Sequence, residues 1–377
     1  MKIPKLEKYI FDVYRAGDEM GNGRSSILVL GLPGIGKSWN AMSAAKKIAE
    51  YKKREFILYD DVAGLKMLKE PDKYFYFLDL RLTHHAPEDL SGIPRERENF
   101  IMYLPLLWTE VASKIPGVIL LDEITNERRE NMLAAAYGVV YDRIAGFKRF
   151  HPDTMIIACG NRPEESSIAS ELPSPLINRF IVVNVEPASV DEWRDFMYRN
   201  YGEKWDMKTY AFLKRFESEG FIIQVPKTPE TLKAYPTHRS WTVLSRYRYY
   251  GITDSETIYG CIGEEVGAKF EAFLQVNVDI EELINNPLKF KEISADAKYM
   301  ASVMLSSWVR QHFKKAGETL PLFDVMFNES REYVTVFLMG IPKNTLKEYM
   351  LMLLKYNNGY FEAFKEVFID IAQEIKA

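Results

Sequence analysis

Residues 26–38 read SILVLGLPGIGKS, and no other stretch of the chain restricts its fold as tightly. The apolar run SILVLG predicts a buried strand ending at a glycine. Residues 38–50 are good helix formers, with Met42, Ala45, Ile48 and Ala49 on one face. Between them lies Gly31-Leu-Pro-Gly-Ile-Gly-Lys37-Ser38, a complete G-x-x-x-x-G-K-S pattern in strand-to-helix context. Glycines let the backbone wrap closely around phosphate oxygens, so the N–H groups of Gly34, Ile35 and Gly36 are expected to point inward. Lys37 is placed to reach β- and γ-phosphates, the Ser38 hydroxyl to coordinate Mg2+, and Trp39 to adjoin the nucleotide. The expected ligand is ATP. The bland alternative is a chance glycine turn before a helix, and the completeness of the motif stands against it.

Further apolar runs at 56–60, 74–82, 117–121, 155–159 and 180–185 predict strands, with helical patterns between several of them, notably 99–114 and 129–144. Near-continuous Val/Ile/Leu runs alternating with helices indicate an α/β fold with a parallel sheet flanked by helices. After Pro187 the pattern turns helical, with expected helices at 190–200, 208–219, 239–250, 255–275, 279–285, 293–315, 322–338 and 344–374. Three prolines in 221–237 predict an extended connection. At 377 residues, two or three packed units are expected. The reading divides them as 1–187 (α/β nucleotide-binding core), 188–277 (helical lid) and 278–377 (helical C-terminal extension).

With 47% hydrophobic and 27% charged residues, the chain has the composition of a globular protein. Its two cysteines, Cys159 and Cys261, lack metal-ligand spacing and read as small buried hydrophobes of a reducing compartment. Charges interrupt the apolar residues of MKIPKLEKYIFDVYR, and no segment approaches membrane-spanning length, so a cytoplasmic protein without membrane insertion is expected. A net charge of −4 argues against a generally basic nucleic-acid binder but leaves a local basic channel open.

Four more elements bear on chemistry. Val118-Ile-Leu-Leu-Asp122-Glu123 is a buried strand ending in an acid pair. Asp122 is expected to hold Mg2+ through water and Glu123 to polarise the attacking water, although many strands end in an acidic helix cap. Met155–Arg162 is a strand ending at Asn161, which reads either as a γ-phosphate or water contact or as a turn asparagine. Arg179, in Pro173-Ser-Pro-Leu-Ile-Asn-Arg-Phe180, reads either as a charge stabiliser for a neighbouring subunit's phosphate or as a helix-terminal surface arginine. Arg239, opening a helix after the proline-rich connection, reads either as a nucleotide contact or as a solvated residue.

Together these elements resemble an AAA+ ATPase, and more narrowly the MoxR-like group. The likeness runs from about residue 25 to about 275 and also takes in Glu88-Asp-Leu-Ser-Gly92-Ile-Pro94, Leu121–Asn126, Tyr235–Trp241 and Asp191-Glu-Trp193. It implies an α/β core, a helical lid and a homo-oligomeric ring, usually hexameric, with ATP between subunits. Asn161 would be the first sensor, Arg179 a finger acting in trans and Arg239 the second sensor. Pro33-Gly34-Ile35 and Ser38 depart mildly from the group's usual loop, which has a threonine at each of the two positions held here by Ile35 and Ser38. The likeness does not extend beyond about 278, and that helical segment is read as a family-specific partner domain.

The leading expectation is an ATP-hydrolysing factor that remodels or assembles a protein substrate or adaptor. A nucleic-acid motor or loader is the alternative, and a nucleotide-switched scaffold a third reading that Glu123, Asn161 and both arginines weigh against. His84-His85 and the short basic runs read as solvated, Arg246–Tyr250 as a packed face, and Gly92-Ile93-Pro94 as a segment lining the ring's pore.

Overall fold

All six apolar runs pair into one parallel sheet. The structure, a computed structural model, describes residues 1–21, 25–166, 168–226, 233–357 and 359–364. Residues Met1–Ser189, rejoined later by Thr237–Arg239, form one compact unit. Its elements are α1 (Leu6–Met20), β1 (Ser26–Leu30), α2 (Lys37–Tyr51), β2 (Glu55–Leu58), α3 (Asp61–Lys69), β3 (Tyr74–Leu80), α4 (Glu88–Ser91), β4 (Ile93–Arg97) and β5 (Phe100–Leu104). These are followed by α5 (Leu107–Lys114), β6 (Gly117–Leu121), α6 (Glu130–Tyr137), β7 (Ile144–Ala145), β8 (Lys148–Arg149), β9 (Met155–Gly160), α7 (Ser174–Ile177) and β10 (Phe180–Asn184).

The sheet order is β10-β1-β9-β6-β3-β2, with every pairing parallel. β6 and β9 are buried along their whole length, which explains why their sequences lack the alternation of a half-exposed strand. Side chains such as Leu28, Ile119 and Ile157 each contribute about 1.5–3 kcal/mol by leaving water. On α2 the buried apolar residues are Ile48 and four alanines, Ala41, Ala44, Ala45 and Ala49, whose small side chains allow close packing, while Met42 is half-buried. A parallel sheet with helices packed against it, the strand, glycine loop and helix of β1 and α2 lying next to its β10 edge, and a helical region after it together make up the expected α/β architecture.

Residues Val190–Gln224, Lys233–Pro236 and Ser240 onward form the second unit. Its helices are α8 (Val190–Tyr201), α9 (Met207–Arg215), α10 (His238–Tyr249), α11 (Ser255–Ile262), α12 (Glu264–Leu274), α13 (Ile280–Asn285), α14 (Ala295–Gln311), α15 (Leu320–Glu329), α16 (Arg331–Met339), α17 (Lys343–Tyr356) and α18 (Tyr360–Ala363). One continuous apolar cluster runs from Val190 to Phe364, so helices on both sides of 277/278 share a core. The Phe212 ring lies 5.0 Å from Phe270, 5.7 Å from Trp241 and 5.7 Å from Phe273. A Phe212→Ala change would remove the centre of that aromatic cluster, at a cost of about 3–5 kcal/mol.

Several expected elements are corrected. The helix expected over 99–114 starts only at Leu107, because Phe100–Leu104 pairs antiparallel with Ile93–Arg97 across a two-residue turn. Ile101, Leu104 and Trp108 have helical spacing, but Phe-Ile-Met-Tyr-Leu is also a strong strand former and a local partner was available. The helix expected over 129–144 stops at Tyr137, followed by a widened turn over Gly138–Asp142 and the short β7–β8 hairpin. Helix 255–275 breaks at Gly263, whose φ of 81° is outside the helical region, and 322–338 breaks at the N-capping Ser330. Helix α1 was not foreseen, although its buried Leu6, Ile10 and Tyr14 recur every fourth residue beneath the intervening charges. Residues 227–232 of the proline-rich connection and 365–374 of the last expected helix lie outside the described residues.

Cys159 is buried and Cys261 half-buried, both as free thiols. His85 Nδ1 lies 3.2 Å from an Asp89 carboxylate oxygen, and no cluster suited to a metal ion occurs among the described residues. No described helix is long and apolar enough to cross a membrane.

Candidate nucleotide-binding site

Parallel strands all deliver their C-terminal ends to the same edge of the sheet, and here that edge gathers most of the predicted residues. β1 leads into the glycine loop and α2 leaves it, so α2's first N–H groups and the positive end of its dipole face the loop. Two loop glycines are required by geometry: Gly34 and Gly36 have φ of 73° and 96°, where a side chain strains the backbone. A Cβ on Gly34 would also lie 2.9 Å from Cβ and Oγ1 of Thr237. Gly34's carbonyl accepts from the Arg239 N–H at 3.2 Å, so Thr237–Arg239 is fastened against the loop.

Lys37 is buried in the loop's hollow. Its ammonium donates to the Gly31 carbonyl at 2.7 Å, the Leu32 carbonyl at 2.9 Å and Asn161 Oδ1 at 2.9 Å. All three acceptors are neutral. Burial pushes the ammonium below its usual range, Asp122 and Glu165 pull it partly back, and the nearby Arg239 charge pushes it down again. A buried cation with only neutral direct partners leaves a positive potential for an anion to neutralise.

The Ser38 hydroxyl donates to Asp122 Oδ2 at 2.7 Å, joining the loop to the end of β6. These two hard oxygen donors, one anionic, suit Mg2+. Glu123 follows with φ of 57°, a left-handed conformation unusual for a residue with a side chain. Its N–H donates to Asp122 Oδ1 at 3.0 Å, and Asn126 Nδ2 donates to Glu123 Oε2 at 3.2 Å. The strained turn and these two bonds hold the acid pair at the strand's end.

Asn161 is held from below, its N–H donating to Thr125 Oγ1 at 3.0 Å, which leaves its amide oxygen on Lys37. The loop, acid pair and asparagine are thus drawn together, from positions up to 124 residues apart. Ile35 packs in the core and Trp39 is half-buried beside Ser38. Arg239 has an exposed side chain, but its charge reaches Lys37 and its backbone is tied to Gly34. Arg179 stands apart: it is exposed, and its guanidinium lies 3.9 Å from the centre of the Tyr141 ring, with no loop group among its contacts within the described residues.

Some residues of the site were not foreseen. Asp79 lies near the end of β3 and Arg81 directly follows it; the strand's register sets Asp79 beside Leu120 and Leu80 beside Leu121. Arg81 therefore comes within 3.5 Å of Asp79 and 3.8 Å of Asp122. Burial first, then the Asp122 charge, holds the Asp79 carboxyl above its ordinary range, against the pull of Arg81. The signal in the sequence was an acid inside an otherwise apolar strand, Tyr74-Phe-Tyr-Phe-Leu-Asp79-Leu. Thr125 and Thr237, which position Asn161 and border Gly34, carried no such signal.

No protein-family profile matches the chain, and no curated protein matches it. Among solved structures it is similar to the RuvB Holliday junction branch migration motor of Thermotoga maritima, with 13% identity over 78% of each chain and a TM-score of 0.38. It is also similar to the Aeropyrum pernix ORC1 protein in complex with DNA, with 13% identity over 84% of this chain and 78% of that one, and a TM-score of 0.39. The Aeropyrum pernix ORC2 protein in ADPNP–ADP complexes is 12% identical over 87% of this chain and 83% of that one, with a TM-score of 0.41.

Proposed function

We propose that the chain is an AAA+ ATPase of MoxR-like type that hydrolyses ATP in a homo-oligomeric ring to remodel or assemble a protein partner. The observation that carries the reading is the convergence of Lys37, Ser38, Asp122 and Asn161, linked by direct hydrogen bonds, with Glu123 on the next turn.

In this reading the N–H groups of Gly34, Ile35 and Gly36 cradle the phosphates and Lys37 binds the β- and γ-phosphate oxygens. Ser38, and Asp122 through water, would hold Mg2+, which would supply charge neutralisation at those oxygens. Glu123 polarises a water molecule, whose oxygen attacks the γ-phosphorus as the bond to the bridging oxygen breaks and the water's proton passes to the carboxylate. ADP and phosphate leave. Asn161 orients the water or γ-phosphate, and Arg239 contacts the nucleotide from its own chain. Arg179, turned toward solvent with an aromatic partner, serves the neighbouring subunit, as a finger in a hexameric ring would. The working division is a core over 1–187, a lid over 188–277 and a partner-binding extension over 278–377.

Glu123→Gln tests the chemistry. ATP binding should persist within a few-fold while turnover falls by about 10²–10⁴. Undiminished hydrolysis would remove Glu123 from its role. The same variant, holding ATP, captures its target: a co-purifying protein supports the remodelling reading. Stimulation of wild-type turnover by DNA or RNA, with steep salt dependence, supports the motor reading instead.

A further inference from the structure

The sheet has an open edge far along the strand order from the nucleotide loop. β2 pairs on one side only, with β3. The Glu55 N–H donates to the Lys73 carbonyl at 2.8 Å and the Tyr59 N–H to the Phe77 carbonyl at 2.9 Å. Strand alternation then turns the N–H and C=O groups of Phe56 and Leu58 away from β3, to the outside of the sheet. Edge strands are normally blunted by lysine, proline or a bulge, because they template pairing with other chains. Phe56-Ile57-Leu58 has none of these.

Beside this edge runs an open groove of about 690 Å³ between α2, β2 and α3. Its floor is apolar, formed by Met42, Phe56, Leu58 and Val62. Val62 is 80% exposed and Leu58 54%, so the groove presents greasy surface rather than hiding it. Lys46 and Lys66 flank it, and their ammonium groups lie over aromatic rings, 5.6 Å from Phe56 and 5.2 Å from Tyr74. Neither makes an ion pair among the described residues. The groove's own acid, Asp60, is already engaged, accepting from the Ala63 N–H at 2.7 Å as the cap of α3.

We propose that the β2 edge and its groove bind an extended, acidic polypeptide segment of a partner protein. The segment adds a seventh strand beside Phe56–Leu58, sets alternate apolar side chains against Phe56 and Leu58, with Lys46 at their margin, and turns the intervening carboxylates to the opposite face, where Lys66 lies over Tyr74. This binding mode couples main-chain hydrogen bonds, which give affinity, to side-chain pockets and charge, which give selectivity. It goes beyond the ATPase reading and stands without it, since none of these residues belongs to the nucleotide site.

The probe is a labelled nine-residue peptide with Val and Ile alternating with Glu, compared with a version carrying Lys for every Glu, both titrated against the full chain. The acidic peptide should bind below about 100 μM and the basic one at least about tenfold more weakly. Binding should add hydrogen-exchange protection at the Phe56 and Leu58 amides and should be lost when the peptide's edge-facing amides are N-methylated. Val62→Asp, and Lys46→Glu with Lys66→Glu, alter exposed side chains and should each weaken binding at least about tenfold while ATP turnover stays unchanged. No binding of the acidic peptide up to about 1 mM overturns the proposal, as does equal binding of the basic peptide or indifference to these substitutions. Self-association of the chain abolished by Val62→Asp would make a second copy the occupant and would equally overturn it.

Discussion

The contact between Gly34 and Thr237 can be turned into a quantitative test of how the glycine loop is held. Gly34→Ala adds one methyl group at φ of 73°, which costs about 1–2 kcal/mol in backbone strain, offset by about 0.4–1 kcal/mol from the stiffer unfolded chain. The new Cβ would also lie 2.9 Å from Thr237 Cβ and Oγ1 and 3.1 Å from Cγ2, well inside ordinary contact. Thr237 is buried and cannot simply swing away, so relief of the overlap costs a further 1–3 kcal/mol or about that. The sum is about 1–5 kcal/mol. Because the chain has two units, the measurement belongs in the first: native-state hydrogen exchange of the β1 amides, whose opening reports this unit. The Thr237→Gly background removes the side chain that the new methyl meets, so there the cost of Gly34→Ala should fall to about 1 kcal/mol. A cost identical in both backgrounds would refute the clash. A cost below about 0.5 kcal/mol in the wild-type background would refute the strain as well.

Other consequences follow from single contacts. Arg179→Ala should cut turnover by about 10³ or more, and mixing it with Glu123→Gln protein should restore part of the activity; no restoration at any ratio would count against action in trans. Alkylation of the native protein should label half-buried Cys261 well before Cys159, whose thiol is pushed far up by complete burial, and equal rates would contradict that placement. Asp191 titrates as a group of its surroundings: burial pushes its carboxyl up, but Tyr210, Lys214 and Arg194 more than offset this and hold it below the usual range. The folded state therefore binds its proton less readily than the unfolded chain, so the stabilisation is present above about pH 4 and fades as pH falls below it. Asp191→Asn should accordingly lower the denaturation midpoint of the helical unit at pH 7 and lower it progressively less in acid. A penalty independent of pH would remove the charge from the explanation.

Much of this protein was legible from local pattern alone. Phosphate loops work through backbone conformation, so the spacing of Gly31, Gly34 and Gly36 before Lys37 announced both the loop and its place between a strand and a helix. The six strands were visible because central strands of a parallel sheet are apolar throughout, and Val118–Leu121 and Met155–Cys159 read so without a partner in view. The helical character after Pro187 was visible for the same reason, in the 3.6-residue period of its core positions.

What tertiary structure decided depends on register and on who lies beside whom. Ile101, Leu104 and Trp108 share helical spacing, yet Phe100–Leu104 became a strand because Ile93–Arg97 lay within reach to pair with it. The order β10-β1-β9-β6-β3-β2 sets β3 beside β6, which is why Asp79 and Arg81 join Asp122, a neighbour some forty residues away in sequence that local pattern cannot see. The same pairing leaves β2 at the rim with Phe56 and Leu58 unpaired on one side. Thr237 and Thr125 take their places at Gly34 and Asn161 only because the folded chain returns there. Sequence determined which residues are candidates for the chemistry, since that depends on residue type and short spacing. The fold alone determined their neighbours, because strand order and register are set by packing across the whole sheet.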